Sequence, residues 1–263
     1  MHMHEQILFA VLFLIGLCGS FFAGMLGLGG AIILVPLLLY LPPLFGLPSL
    51  DMKQISGMTI VVVFVSSLIA LMVQHKNRFV SKPLVAAVGI TALVSSFAGA
   101  VFSKSTSSDM LLAVFACMAG FAAVIMFIPR KESGGDIPAE QVTFNIPLAI
   151  ALALIPAFIG GMVGAPGAYI FAPLIIIFLK VPTKVAIGST LGIAFLASVS
   201  GAAGKLLTAQ VPYVLTFALL LGAVPGARVG AMLTKKIPAA ALKKGLAMVI
   251  AFAAIRMWMD VLR

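Results

Sequence analysis

The chain has 263 residues, of which 62% are hydrophobic and only 9% charged, whereas a water-soluble globule carries about 25% charged residues. That balance excludes a soluble enzyme or binding domain. It requires a chain solvated by lipid, with its backbone groups paired internally in helices or a closed barrel. The net charge of +10 sits in short loops between apolar runs, so it excludes nucleic acid as a partner and speaks for membrane topology.

The apolar runs are continuous rather than alternating. They predict helices over about 7–26, 31–45, 55–74, 84–102 and 111–129, then 146–163, 168–179, 185–204, 213–233 and 240–262. The first run follows Met1-His2-Met3-His4-Glu5-Gln6, which lacks the basic stretch of a signal peptide, and is read as part of the mature fold. It ends in Gly24-Met25-Leu26-Gly27-Leu28-Gly29-Gly30-Ala31, followed by Pro36-Leu37. The third run opens on a polar cluster, Gln54-Ile55-Ser56-Gly57-Met58-Thr59. After the fifth, the polar stretch 130–145 divides the runs five and five. The second set then repeats the first: Gly161-Met162-Val163-Gly164-Ala165-Pro166-Gly167-Ala168 leads to Pro173-Leu174, and Ala186-Ile187-Gly188-Ser189-Thr190 opens the eighth run.

The two glycine-rich stretches lie at an offset of 137 residues. Further on, Lys53, Gly57 and Thr59 match Lys184, Gly188 and Thr190 at an offset of 131, as do Gly99 with Gly230 and Lys104 with Lys235. One internal duplication therefore covers nearly the whole chain. It gives a first repeat over 1–129, a cytoplasmic linker over 130–145 and a second repeat over 146–263.

Charge orients the halves. Loops 75–83, 130–145, 180–184 and 234–244 hold eleven Lys/Arg. Lys53, Lys104, Lys205 and Arg263 fall on the other face if the repeats are inverted, and a parallel arrangement leaves no bias. The positive-inside rule then makes the rich face cytoplasmic and puts both termini outside. The expected fold is an all-α integral membrane protein of two inverted-topology repeats with five apolar helical segments each. The first two segments of each repeat form a Gly-tipped, broken or re-entrant hairpin, with the two tips meeting near the midplane. Ten full spans would satisfy the same charge count.

A duplicated, Gly/Pro-broken helix points to a transporter's substrate site. A helix start leaves N–H groups unpaired and carries partial positive charge, so Gly27, Gly29, Gly30 and Ala31 with Gly164, Gly167 and Ala168 can cradle an anion. Ser56, Gly57 and Thr59, with Gly188, Ser189 and Thr190, add hydroxyls and close backbone approach one turn into a helix. Arg228, about two turns inside its run, is the intramembrane cation among the candidates, whereas Arg256 is expected to snorkel beside Asp260. All seven acids lie in loops or at segment ends. No proton relay, sodium ligand, catalytic residue or metal cluster is legible, and no cofactor is expected. The expected partners are a small anion and membrane lipid; a homodimer is compatible with the sequence.

The paired signature Gly-x-x-Gly-x-Gly-Gly-x(5)-Pro-Leu, its echo after the central polar stretch, and the Lys-x-x-x-Gly-x-Thr element behind each resemble the TauE/SafE sulfite-exporter family. The resemblance implies a plasma-membrane permease of bacterial type that exports sulfite, an organosulfonate or a related sulfur oxyanion. It also implies that Gly24, Gly27, Gly29, Gly30 and Pro36, with Gly161, Gly164, Gly167 and Pro173, carry the family signature. Pro166 departs from a pure glycine tip. An anion channel, or an importer of a small carboxylate or thiosulfate-like compound, remains the alternative reading.

Overall fold

The computed structural model describes residues 2–26, 30–76, 78–126, 138–166 and 168–261. Ten α-helices carry them: α1 (His2–Leu26), α2 (Ala31–Leu44), α3 (Met52–Lys76), α4 (Lys82–Phe102), α5 (Ser108–Met126), α6 (Ile146–Met162), α7 (Ala168–Ile177), α8 (Thr183–Leu207), α9 (Tyr213–Thr234) and α10 (Ala239–Val261). Among the described residues, six stretches are long and apolar enough to cross a membrane: Gln6–Leu26, Met52–Lys76, Lys82–Ser105, Ser108–Ile125, Thr183–Leu207 and Tyr213–Thr234. At 1.5 Å per residue, α2 and α7 reach only about 21 and 15 Å, short of a bilayer's roughly 30 Å hydrocarbon core.

Local chemistry sets the boundaries. Asn145 caps α6, its Oδ1 accepting from the Leu148 N–H at 3.0 Å. Pro182 and Pro212 stand as the residues before α8 and α9, and a proline there needs no donor. Gly30, at φ +87°, precedes α2, and its carbonyl accepts from Ile33 and Leu34. α8 closes in a Schellman turn: the Ala209 N–H donates to Leu206 O at 3.1 Å and the Gln210 N–H to Lys205 O at 3.0 Å. Ala209 takes the left-handed conformation, φ 56°, that this turn demands.

The packing joins the two halves of the chain. α1 lies parallel and in register with α9. A Cβ added at Gly222, Gly226 or Gly230 would overlap the carbonyl oxygens of Phe13, Leu17 and Phe21 respectively, so a glycine every fourth residue lets the two backbones touch. α6 lies against α4 in the matching way, with a Cβ at Gly99 overlapping the Phe158 carbonyl and one at Gly161 overlapping that of Ser96. α3 and α8 pair antiparallel. Ser56 meets Lys205, the Ile60 side chain lies against Gly201, and Leu71 lies against Gly192. α1 and α2 also pack antiparallel, with Leu34 against Gly19 and Ala23 against Gly30.

These contacts recur at the offsets of the sequence repeat. Gly57 abuts the carbonyl of Gln210, and Gly188 that of Phe79. Gly99 abuts Phe158 and Met162, and Gly230 abuts Phe21 and Met25.

The antiparallel pairing separates what the sequence reading brings together. The clusters at 54–59 and 186–190 open two helices that run in opposite directions, so they lie roughly 20 Å apart along the bundle. The α6–α7 break sits one to two turns inside the end where α3 begins, since Gly164 lies against Ser56 and Thr59. The end of α1 sits at the other end, beside Thr234. The end of α1 and the turn at Gly164 therefore lie towards opposite ends of the bundle rather than together.

Candidate functional site

The helix starts and hydroxyl clusters come first, because sequence points to them. Gly27, Gly29 and Gly167 lie outside the described residues. Gly30 and Ala31 are buried at the start of α2, and Ala168 opens α7. Gly164 is buried at φ +72° against Ser56, where a Cβ would overlap the Ser56 carbonyl oxygen. Thr59 Oγ1 has three carbonyls within reach of its single proton: Ile55 O at 2.8 Å, Gly164 O at 3.0 Å and Ser56 O at 3.2 Å. That hydroxyl ties α3 to the broken segment. At the other end Ser189 Oγ accepts from the Ser81 N–H at 3.0 Å, and Thr190 Oγ1 donates to Ile187 O at 2.9 Å.

The residue that organises the first cluster is one the sequence presents as a loop charge. Lys205 lies in the last turn of α8 and is wholly buried. Its Nζ stands 2.7 Å from Ser103 Oγ, 2.8 Å from Ser56 Oγ, 2.9 Å from Met162 O and 3.0 Å from Gln210 Oε1. Four elements converge on it: α3, the 3-10 turn Ser103–Ser105 behind α4, the last residue of α6, and the Schellman turn that carries Gln210. Each partner is held as an acceptor. Ser56 gives its own proton to Lys53 O at 2.8 Å and Ser103 gives its own to Ala100 O at 2.6 Å. The Gln210 amide is oriented by Nε2, which donates to Thr208 Oγ1 at 2.7 Å. Four acceptors around an amine suit an ammonium, whose three protons are fewer than the oxygens facing it.

At the positions offset by 131 residues the chemistry is neutral. Gln74 stands where Lys205 does, and its Nε2 donates to Ala231 O at 3.3 Å. Thr234 stands where Ser103 does and donates to Met25 O at 3.0 Å. The residue pattern offers a signal for Lys205 in retrospect: it ends a run whose repeat mate places Gln74 inside a helix.

The candidate Arg228 and the second intramembrane arginine, Arg256, lie elsewhere. Arg228 is exposed on the outer flank of α9; two residues from Gly226, it lies roughly 200° round the helix from the glycine stripe that meets α1. Arg256 lies over the Tyr40 ring, 4.9 Å from its centroid, a cation–π contact between α10 and α2. Cys18 and Cys117 are free and exposed, and no metal-binding group of His, Cys, Asp or Glu occurs among the described residues.

Tyr169, the second residue of α7, is fully buried and packs on Phe115 with ring centroids 5.7 Å apart. Its hydroxyl has no hydrogen-bond partner among the described residues. Because an unsatisfied buried hydroxyl is costly, Tyr169→Phe should raise stability by about 1 kcal/mol, measured by thermal melting in detergent. A destabilised Phe variant would mean that the hydroxyl has a bonding role.

Six helices long and apolar enough to cross a membrane, packed around a buried, cation-centred polar cluster, define a polytopic membrane protein. Residues 12–257 match the family model described as Sulfite exporter TauE/SafE, and the chain belongs to this family of membrane transporters. It is 25% identical to the Bacillus subtilis (strain 168) protein named "Probable membrane transporter protein YunE" over 87% of this chain and 89% of that one. A "Probable membrane transporter protein" of Haemophilus influenzae is 26% identical over 94% of this chain and 96% of its own. The Methanocaldococcus jannaschii "Probable membrane transporter protein MJ0441" is 28% identical over 74% and 70%. No solved structure matches the chain.

Proposed function

We propose that this transporter is a secondary carrier or facilitator for small anions, exporting sulfite or a related organosulfonate or sulfur oxyanion by movement of two inverted repeats against each other. The observation that carries the reading is the charge of the interior. Lys205 is the one charged side chain buried among the described residues, while Asp51, Asp109 and Glu140 are exposed. A low-dielectric interior with an uncompensated cation favours anions and disfavours cations.

The antiparallel pairing of the repeat mates α3 and α8, both of spanning length, supports inversion of the repeats. The basic residues Lys76, Lys82, Lys184, Lys235 and Lys236 gather at one end, which supports reading that end as cytoplasmic, in a plasma membrane with both termini outside. Each hairpin then enters and leaves on one side. The helix starts at Ala31 and Ala168, with Ser56, Thr59, Ser189 and Thr190, serve the anion in turn rather than together. No buried carboxylate is required for coupling, since the membrane potential supplies about 2.3 kcal/mol per charge per 100 mV to an anion leaving the cytoplasm.

Purified protein in proteoliposomes should carry radiolabelled sulfite in a saturable flux that follows the sign of an imposed potential. Failure to carry sulfite, sulfonates or short carboxylates would sink the anion reading, and non-saturating flux would replace the carrier with a channel.

A further inference from the structure

We infer that the cluster around Lys205 is the binding site for the transported oxyanion at the Lys53 end of the bundle. Lys205 supplies the counter-charge, and Ser56, Ser103 and Gln210 supply the hydrogen bonds. The inference rests on the anion-carrier reading and adds the residues that meet the anion.

Lys205 is fully buried, and its four contacts are all neutral oxygens. The charged side chains on the elements packed around it are of its own sign. α3 brings Lys53, whose Nζ donates to Lys104 O at 3.2 Å, and the 3-10 turn brings Lys104. Residues 146–162 of α6 and 208–212 bring no charge. A buried ion without a counter-charge is costly, and here dipoles alone stand in for one.

The cluster can exchange those dipoles for a ligand. One of the four acceptors is surplus to the three ammonium protons, so an oxyanion can take its place without leaving a proton unmet. The Ser56 and Ser103 hydroxyls can rotate from Lys53 O and Ala100 O to donate to the anion. Gln210 can turn its Nε2 inward from Thr208. The site then offers one cation and three neutral donors, a set suited to a sulfite, sulfonate or carboxylate group. Gln210 and Lys53 are both only half-buried, which gives the cluster a short route to the surface. Displacing Met162 O would also free the end of α6, next to the break at Gly164, so binding and movement of the broken segment share one contact.

The test is thermal melting of the purified full chain in detergent against sulfite, methanesulfonate, acetate and, as control, chloride. The wild type should show a saturable rise in Tm with the oxyanion it carries and none with chloride. Lys205→Met should melt at or above the anion-free wild type, because a buried charge is gone, and should bind that anion about 100-fold more weakly or not at all. Ser103→Ala keeps the cation and should weaken binding about tenfold, which tests the site even where the Met variant fails to fold. A wild-type rise that persists in Lys205→Met, one unchanged in Ser103→Ala, or no rise with any oxyanion overturns the proposal. Sulfite flux that ignores Lys205 removes this site and leaves the carrier standing; Lys205-dependent binding without flux does the reverse.

Discussion

Gly164→Ala should cost about 3 kcal/mol of stability and lower the melting temperature by roughly 6–12 °C. Two independent penalties meet at this residue. Its φ of +72° is a conformation that L side chains rarely adopt, worth about 1–2 kcal/mol. The new Cβ would also overlap the carbonyl oxygen of Ser56, with the Ser56 Cα and carbonyl carbon only 2.5 Å away. Backbone on a spanning helix cannot step aside as a side chain can. Relief would have to come from moving the 163–166 segment, which breaks the Thr59 bond to Gly164 O. Gly30→Ala is the informative comparison. It also has a positive φ, but its neighbours are the Ala23 and Leu34 side chains at 3.2 and 3.3 Å. Only the conformational penalty of about 1–2 kcal/mol should remain there. Equal losses at the two glycines would refute the role given to Ser56.

Gly226→Leu should have the larger effect, a loss of about 4 kcal/mol or failure to accumulate as folded protein. Even its first carbon would overlap the Leu17 carbonyl, and Gly222 and Gly230 hold the neighbouring turns equally close to α1. Separating the helices by a side chain would forfeit the dispersion contacts along the whole seam. On the opposite flank of α9, Val224 is 45% exposed, and Val224→Leu should change stability by less than about 0.5 kcal/mol. Monodispersity and melting in detergent would separate the two variants. A well-folded Gly226→Leu protein would show that α1 and α9 do not depend on touching backbones.

Why some of this is legible in the sequence and some not follows from which forces are local. The helices lie where the apolar runs put them, give or take a few residues at the ends, because lipid demands uniform apolarity along each. The Gly99–Gly230 and Gly57–Gly188 matches carry over directly into matching contacts. Lys205 is different. Three of its four partners, Ser56, Ser103 and Met162, are 149, 102 and 43 residues away, and the nearby Gln210 alone does not distinguish it from a headgroup anchor. Arg228 errs in the other direction: depth along a helix is readable from sequence, but which flank faces lipid is fixed by the partner helix. The glycine spacing at 222, 226 and 230 was the available clue, and it turns Arg228 outward. The separation of the two hydroxyl clusters follows from the antiparallel pairing of α3 and α8, which no single helix reveals.

The parallel seam between α1 and α9 also has a consequence for biogenesis. α1 leaves the ribosome about 190 residues before the helix that covers it, which at cellular elongation rates is roughly 10–40 s. During that time its row of backbone carbonyls at Phe13, Leu17 and Phe21 has lipid, or some other attendant helix, where glycine will later sit. An α-helix can wait in a bilayer because its own hydrogen bonds are complete. The order of synthesis therefore makes the first segment a lodger in the membrane until the ninth arrives, and a ribosome stalled between them would strand it.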